Sequence, residues 1–201
     1  MVGADKACSD LQAARIRLDF HAGLRAGPGG TFCPAAADIT RLPFADCTFD
    51  LLLCSEVLEH VPDHRRAVFE MARVLKPGAE LVVSVPRRAP ECWCWKLSRA
   101  YRHAPGGHVR IYTVSELIAL VEQHGLLHRH THHAHSLHTP YWWLKCLLGL
   151  ERDRLWPVRL YHRFLTWELF HRPRWLRRLE RWLDPLLGKS AVLYFVRKPT
   201  A

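Results

Sequence analysis

Glu56, Glu59 and His60 follow the apolar run "DLLLCS" at i, i+3 and i+4. On a helix that spacing puts two carboxylates and an imidazole on one face. Such a trio can pass protons as general acid and base, or it can ligate a cation. His60 is expected as a wall or base of a site, with Glu56 beside it, and no metal ligand is assigned. His108, Arg110 and Tyr112 alternate in "HVRIY", so one side of an extended segment would carry a basic and aromatic edge. A solvated loop ahead of Thr113 is the equal alternative. His108 completes the catalytic candidates. The tract holding His128, His130, His132, His133, His135 and His138 could gather around a metal, because alternate positions share a strand face. It has no accompanying acid or cysteine and is taken as compositional bias. Cys92 and Cys94, without a second pair, carry little metal signal.

A chain of 201 residues, 49% hydrophobic, is long enough for one domain with its own core. With 29 Lys and Arg against 19 Asp and Glu, the charge of +10 attracts phosphate-bearing ligands, nucleic acid or anionic membrane. Seven cysteines, an odd number at irregular spacing, imply reduced thiols and a cytoplasmic setting. No export signal is visible, and no apolar run approaches the roughly 18 residues that span a bilayer.

The elements that must position these groups alternate between strand and helix. "MVGADKACSDLQAARIRL" reads as a strand end and a helix capped by Ser9 with Gln12, and "LRAGPGGTF" as a turn-rich connection. "DLLLCS" has the character of a strand buried on both faces of a parallel sheet. Asp63 caps a helix that "KPG" stops, and "ELVVSVP" is the next strand. Thr113 and Glu116 form a second capping box, and "LLHRHTHH" and "AVLYFVRK" close the series as strands. This rhythm predicts an α/β fold with a parallel sheet and helices on both faces. Ligands of such sheets bind beyond the carboxyl ends of the strands, which collects Asp5, Asp38 and the segment from Cys54 to His60 on one rim.

At those residues the chain resembles the class I S-adenosylmethionine-dependent methyltransferases of the methyltransferase type 11 group, which includes the ubiquinone and menaquinone biosynthetic enzymes. "ADITRLPFADCTFDLLLCSEVLEHV" is similar to their acidic loop and fourth strand, "RVLKPGAELVVSVP" to their fifth, and "GHVRIYTVSELIALVEQHGL" to a late helix. The resemblance implies a Rossmann-like sheet, mostly parallel with the last strand antiparallel, and S-adenosyl-L-methionine as cofactor. It implies that Asp5, with Lys6 beside it, holds the ribose hydroxyls, and that Asp38 and the Ile39 N–H meet the adenine. Backbone groups at Cys54 and Ser55 would face the methionine end. Taken singly, each Asp is an ordinary turn or capping residue. The family's first strand and glycine-rich loop should precede Asp5, where only four residues stand. That reads as a fragment rather than a degenerate paralogue, with hydrophobic neighbours and ladder groups left open where the strand would lie. "GPGG" at Gly27 to Gly30 is out of place for that loop and reads as a turn.

Residues 1–133 and 190–198 form the methyltransferase-like part, and 134–189 a helical insertion or cap. Residues 139–189 hold six of the eight Trp, with eleven Lys and Arg against five Asp and Glu. Trp and Leu at helical spacing with Arg between them suit an anionic membrane surface, which would make the protein peripheral at the inner face. A cap over an apolar acceptor pocket is the alternative. Nucleic acid ranks last among the partners, since no recognised module accompanies the basic residues. The expected function is methyl transfer to a small, lipophilic acceptor at oxygen or carbon. Its rival is a non-catalytic remnant that binds membrane or a partner.

Overall fold

A computed structural model describes residues 2–6, 9–14, 16 and 33–199. The "GPGG" turn lies outside them. Two short strands, β1 (Val2–Asp5) and β2 (Cys33–Ala36), pair in parallel with Asp5 opposite Ala36. Residues 9–14 between them are helical (α1). A second sheet has the order β3 (Phe49–Ser55), β4 (Leu75–Pro86), β6 (Ser190–Arg197), β5 (Leu126–Ala134). β3 and β4 are parallel, and β6 runs antiparallel to both its neighbours. The last strand is therefore inverted, as expected.

Among the described residues the β1–β2 ladder is separate from the four-stranded sheet. The expected burial of β3 on both faces is corrected. Leu51 and Leu53 are 58% and 68% exposed, while Cys54 is buried and Leu52 packs against the core. Successive strand residues face opposite ways, so the Leu51 and Leu53 face is open while the other packs on the core, and among the described residues β3 pairs only with β4, which leaves its far edge unpaired.

α2 (His64–Val74) starts where Asp63 accepts the Arg66 N–H at 3.0 Å, and buries Ala67, Val68, Met71, Ala72 and Val74 on the sheet. The helix stops at Val74, two residues ahead of "KPG". The chain enters β4 at Leu75, and Gly78, at φ +79°, occupies the bulge between the pairs Phe49–Leu75 and Leu51–Glu80. Two helices follow, α3 (Arg88–Leu97) and the short α4 (Arg99–Arg102). α5 (Val114–Glu122) opens on the Thr113–Glu116 capping box, with both reciprocal bonds present.

Between β5 and β6 lie α6 (His138–Leu148), α7 (Trp156–His171) and α8 (Arg174–Leu187). They share a small core of Leu137, Leu165 and Leu176 with Tyr141, Tyr161 and Phe164 around it. The Trp143 indole N–H donates to the Pro90 carbonyl at 3.2 Å, fastening this layer to α3. No helix among the described residues is long and apolar enough to cross a membrane.

Candidate active site

The register Asp5–Ala36 brings Asp5 and Asp38 to the same edge of the β1–β2 ladder, Asp38 being two residues beyond Ala36. Asp38 closes its own turn. One oxygen accepts from the Thr40 N–H (2.8 Å) and hydroxyl (2.7 Å), and the other meets Lys6 Nζ at 2.7 Å. The Lys6 ammonium and then the Thr40 groups hold its pKa down at about 2, so the carboxylate is an acceptor at any physiological pH. Ile39 packs half-buried on the core.

The Glu70–Arg73 pair on α2 stitches this acidic loop down. Leu42 N–H donates to Glu70, and the Arg73 guanidinium reaches Asp46 and the carbonyls of Leu42 and Phe44 as well as Glu70. Glu70 and Arg73 were not among the expected site residues. Three residues apart on a helix, they read as an ordinary surface pair.

At the ends of β3 and β4, Ser55 and Ser84 hydroxyls meet at 2.9 Å, and Ser84 donates to Glu56 at 3.0 Å. The Cys54 side chain points into the core, where burial pushes its thiol up to about 12, so Cys54 offers backbone groups here and no thiolate. Glu56, Glu59 and His60 do not share an α-helical face. Glu56 takes a left-handed conformation (φ +52°), and Leu58–His60 is a single 3-10 turn. The turn separates the three: Glu56 stays with Ser84, Glu59 is fully buried, and His60 faces the rim beside His108, ring centroids 4.9 Å apart.

His60 Nδ1 lies 3.2 Å from the Gly107 carbonyl, so it carries the proton and leaves Nε2 toward Glu59, 3.9 Å away. Neither Glu59 oxygen finds a hydrogen-bond partner among the described residues. Burial above all, with the Glu56 and Glu91 charges adding, pushes its pKa up to about 7. His108 Nδ1 donates to Glu91 at 2.6 Å, and Glu91 also receives Lys189 Nζ at 2.8 Å and the Tyr101 hydroxyl at 3.3 Å. Burial works against the Glu91 charge, but the His108 and Lys189 donors outweigh it and hold the pKa near 2. Fixed in this way, His108 keeps Nε2 as a proton acceptor. Glu59, His60 and His108 bring donor atoms within 4.8 Å of one another, a set that can also hold a cation.

Arg110 and Tyr112 do not form an open edge with His108. Arg110 caps the 3-10 turn through the carbonyls of Leu58, Val61 and Pro62, and buried Tyr112 meets His64 Nδ1 at 2.6 Å. Glu91, Lys189 and Tyr101 escaped the sequence reading. Glu91 looks like a first-turn helix acid, and Lys189 reaches it from 98 residues away.

The methyltransferase domain family matches residues 7–83. A demethylmenaquinone methyltransferase of Mycobacterium marinum is 42% identical over 88 residues, 41% of this chain and 38% of its own. Another, from Mycobacterium sp. strain KMS, is 35% identical over 127 residues, 57% of this chain and 54% of its own. Over these segments the chain is similar to the class I S-adenosylmethionine-dependent methyltransferases. It spans about half or less of the length of these curated relatives. A solved methyltransferase structure from Methanosarcina mazei superposes over 99% of this chain and 82% of that one, with a TM-score of 0.60 at 16% identity. The cyclase SpnF superposes over 100% of this chain and 67% of its own, with a TM-score of 0.59 at 18% identity. The fold therefore leaves the reaction to be argued from the site.

Proposed function

We propose that this protein binds S-adenosyl-L-methionine and methylates a lipophilic acceptor of the quinol type. The acidic rim suits the cofactor. Asp5 and Asp38, which is ionised at neutral pH, are acceptors for hydroxyl and amine groups, and Ile39 adds an apolar wall. When bound, the cofactor supplies an activated methyl group, so the protein's task is to position the acceptor and take its proton.

The observation that carries this reading is the His108–Glu91–Lys189 chain beside His60. Glu91 fixes the His108 tautomer and stabilises the imidazolium that would form as Nε2 removes a proton from oxygen or carbon. Lys189 keeps Glu91 ionised, so Glu91 orients without taking the proton. The names of the mycobacterial relatives support a quinone-derived acceptor.

The helices between β5 and β6 suit delivery of such an acceptor. On α8, Trp175, Leu179, Trp182 and Leu186 form one exposed stripe flanked by exposed Arg174, Arg177, Arg178 and Arg181. On α7, Trp156, Leu160, Trp167 and Phe170 form another. Apolar stripes bordered by guanidinium groups match an anionic bilayer surface, where an isoprenoid quinol resides.

The test is transfer of labelled methyl from S-adenosyl-L-methionine to demethylmenaquinol held in anionic vesicles. Label should enter the lipid extract, and His108→Ala should reduce it roughly 10²- to 10⁴-fold. Label that stays in the aqueous phase with every quinol tried would contradict the acceptor class.

A further inference from the structure

Six histidines crowd residues 128–138, and the absence of any neighbouring acid argued against a metal. The fold supplies that acid from 42 positions after His138. Glu180 of α8 lies against the β5–α6 junction, and its carboxylate, His135 and His138 bring donor atoms within 4.8 Å of one another. Three other histidines of the tract face elsewhere. His130 and His132 pack on Tyr194, and His128 meets Thr131 and Phe195.

The backbone that carries the three donors is held in place. The Ser136 N–H donates to Asp184 (3.0 Å), the Ser136 hydroxyl to the Glu180 carbonyl (3.2 Å), and the Thr139 hydroxyl to the Leu187 carbonyl (2.6 Å). Those bonds lock the junction along α8. His135 takes a left-handed backbone (φ +65°), an uncommon conformation for a residue with a side chain. The His138 N–H returns to its carbonyl at 3.0 Å. The turn sets the two imidazoles 5.4 Å apart, centroid to centroid.

We propose that His135, His138 and Glu180 form a site for a zinc-like divalent ion that pins α8 to the β5–α6 junction. Two imidazoles and one carboxylate are a donor set that zinc accepts, with a fourth position for water. Bond lengths of about 2.0 to 2.2 Å place donors roughly 3.4 Å apart, so the widest pair draws in by up to about 1.4 Å. His135 is exposed and has the room to turn inward.

Two features look unfinished without an ion. His138 Nδ1 is buried with no hydrogen-bond partner among the described residues. Burial, then His135 and Lys189, push the His138 pKa down to about 4, which leaves the ring neutral, as a ligand must be. Glu180 is pushed the opposite way by burial and by the nearby Asp184 and Glu168 charges. A cation would relieve that repulsion. Lys189 opposes it, but its ammonium is paired with buried Glu91.

The test uses the whole chain, stripped with a chelator and titrated with Zn²⁺ against a chromophoric competitor, then with Co²⁺ for its visible spectrum. The expected result is one saturable site with the intense absorption of a four-coordinate cobalt ion, and a higher melting temperature with zinc. His138→Ala and Glu180→Gln should each weaken zinc at least tenfold. Glu180→His, which restores a donor, should keep the cobalt spectrum. The double variant H130A/H132A should bind like the parent. Absence of saturable binding would overturn the proposal, as would full affinity in both His138→Ala and Glu180→Gln. Loss on His60→Ala with none on His138→Ala would move the site to the His60–His108 cluster and equally overturn it.

Discussion

At the residue scale the site turns on two buried carboxylates that burial treats alike and partners treat oppositely. Glu59 has no donor and keeps its proton to about pH 7, whereas Glu91 accepts hydrogen bonds from His108 and Lys189 and ionises near pH 2. Their contributions to stability have opposite signs. Between about pH 4.5 and 7 the unfolded chain has released the Glu59 proton while the folded chain still holds it. Stability is therefore lost as pH rises through that window. Glu91 acts in the other direction, its contribution being complete above its unfolded value near 4.5 and lost as pH falls toward 2. Glu59→Gln should remove the first loss and raise stability at pH 8 by on the order of 3 kcal/mol, as read by urea melts at pH 5 and pH 8. An unchanged difference between the two pH values would show that Glu59 is not the group responsible. Glu91→Gln should lower turnover more than it changes acceptor KM, because it acts through the His108 imidazole. It should also cost about 3 to 5 kcal/mol of stability by leaving Lys189 buried without its partner. Equal loss of kcat in a variant with an unaltered pH–rate profile would speak against a positioning role.

At the element scale, what was legible in the sequence was what local chemistry decides. The caps at Asp63 and Thr113 are there, and so is the inverted last strand, which the family resemblance implied and local chemistry did not. The spacing of Glu56, Glu59 and His60 misled because it presumes a helix, and the chain instead makes a left-handed step and one 3-10 turn. Nothing in the composition of "SEVLEH" announces that step. Glu91, Lys189 and Arg73 were illegible for a different reason, since their roles depend on partners brought in by the sheet from 17 to 98 residues away. Arg73 shows how an element serves the rim at a distance. It ties the loop after Asp38 to α2, so Arg73→Ala should destabilise the protein by roughly 2 to 3 kcal/mol and weaken cofactor binding, although it lies outside the rim. Calorimetry beside a denaturation curve tests this, and full cofactor affinity in the variant would show that the loop holds its shape without the clamp. The stripe on α8 makes a second prediction. Trp175→Ser with Trp182→Ser should abolish the blue shift of emission expected on adding anionic vesicles, and salt should weaken that shift in the parent. Emission indifferent to lipid would assign these indoles no membrane role.

For the whole molecule, the arrangement is a division of labour among three regions. The β1–β2 ladder and its acidic loop carry the groups suited to a nucleoside, the turn after β3 and the segment between α4 and α5 carry the histidines, and the helices before β6 present an apolar, basic surface. Lys189, at the point where those helices return to β6, reaches into the histidine cluster through Glu91, so the outer layer and the site are joined by one ion pair. The central claim is that this rim holds the methyl donor, and binding of S-adenosylhomocysteine to the 201-residue chain tests it most directly. Titration calorimetry should find one site, weakened by about 1 to 3 kcal/mol in Asp5→Ala and again in Asp38→Ala, with His108→Ala leaving the affinity unchanged. An affinity indifferent to both aspartates, or no binding at all, would contradict the account.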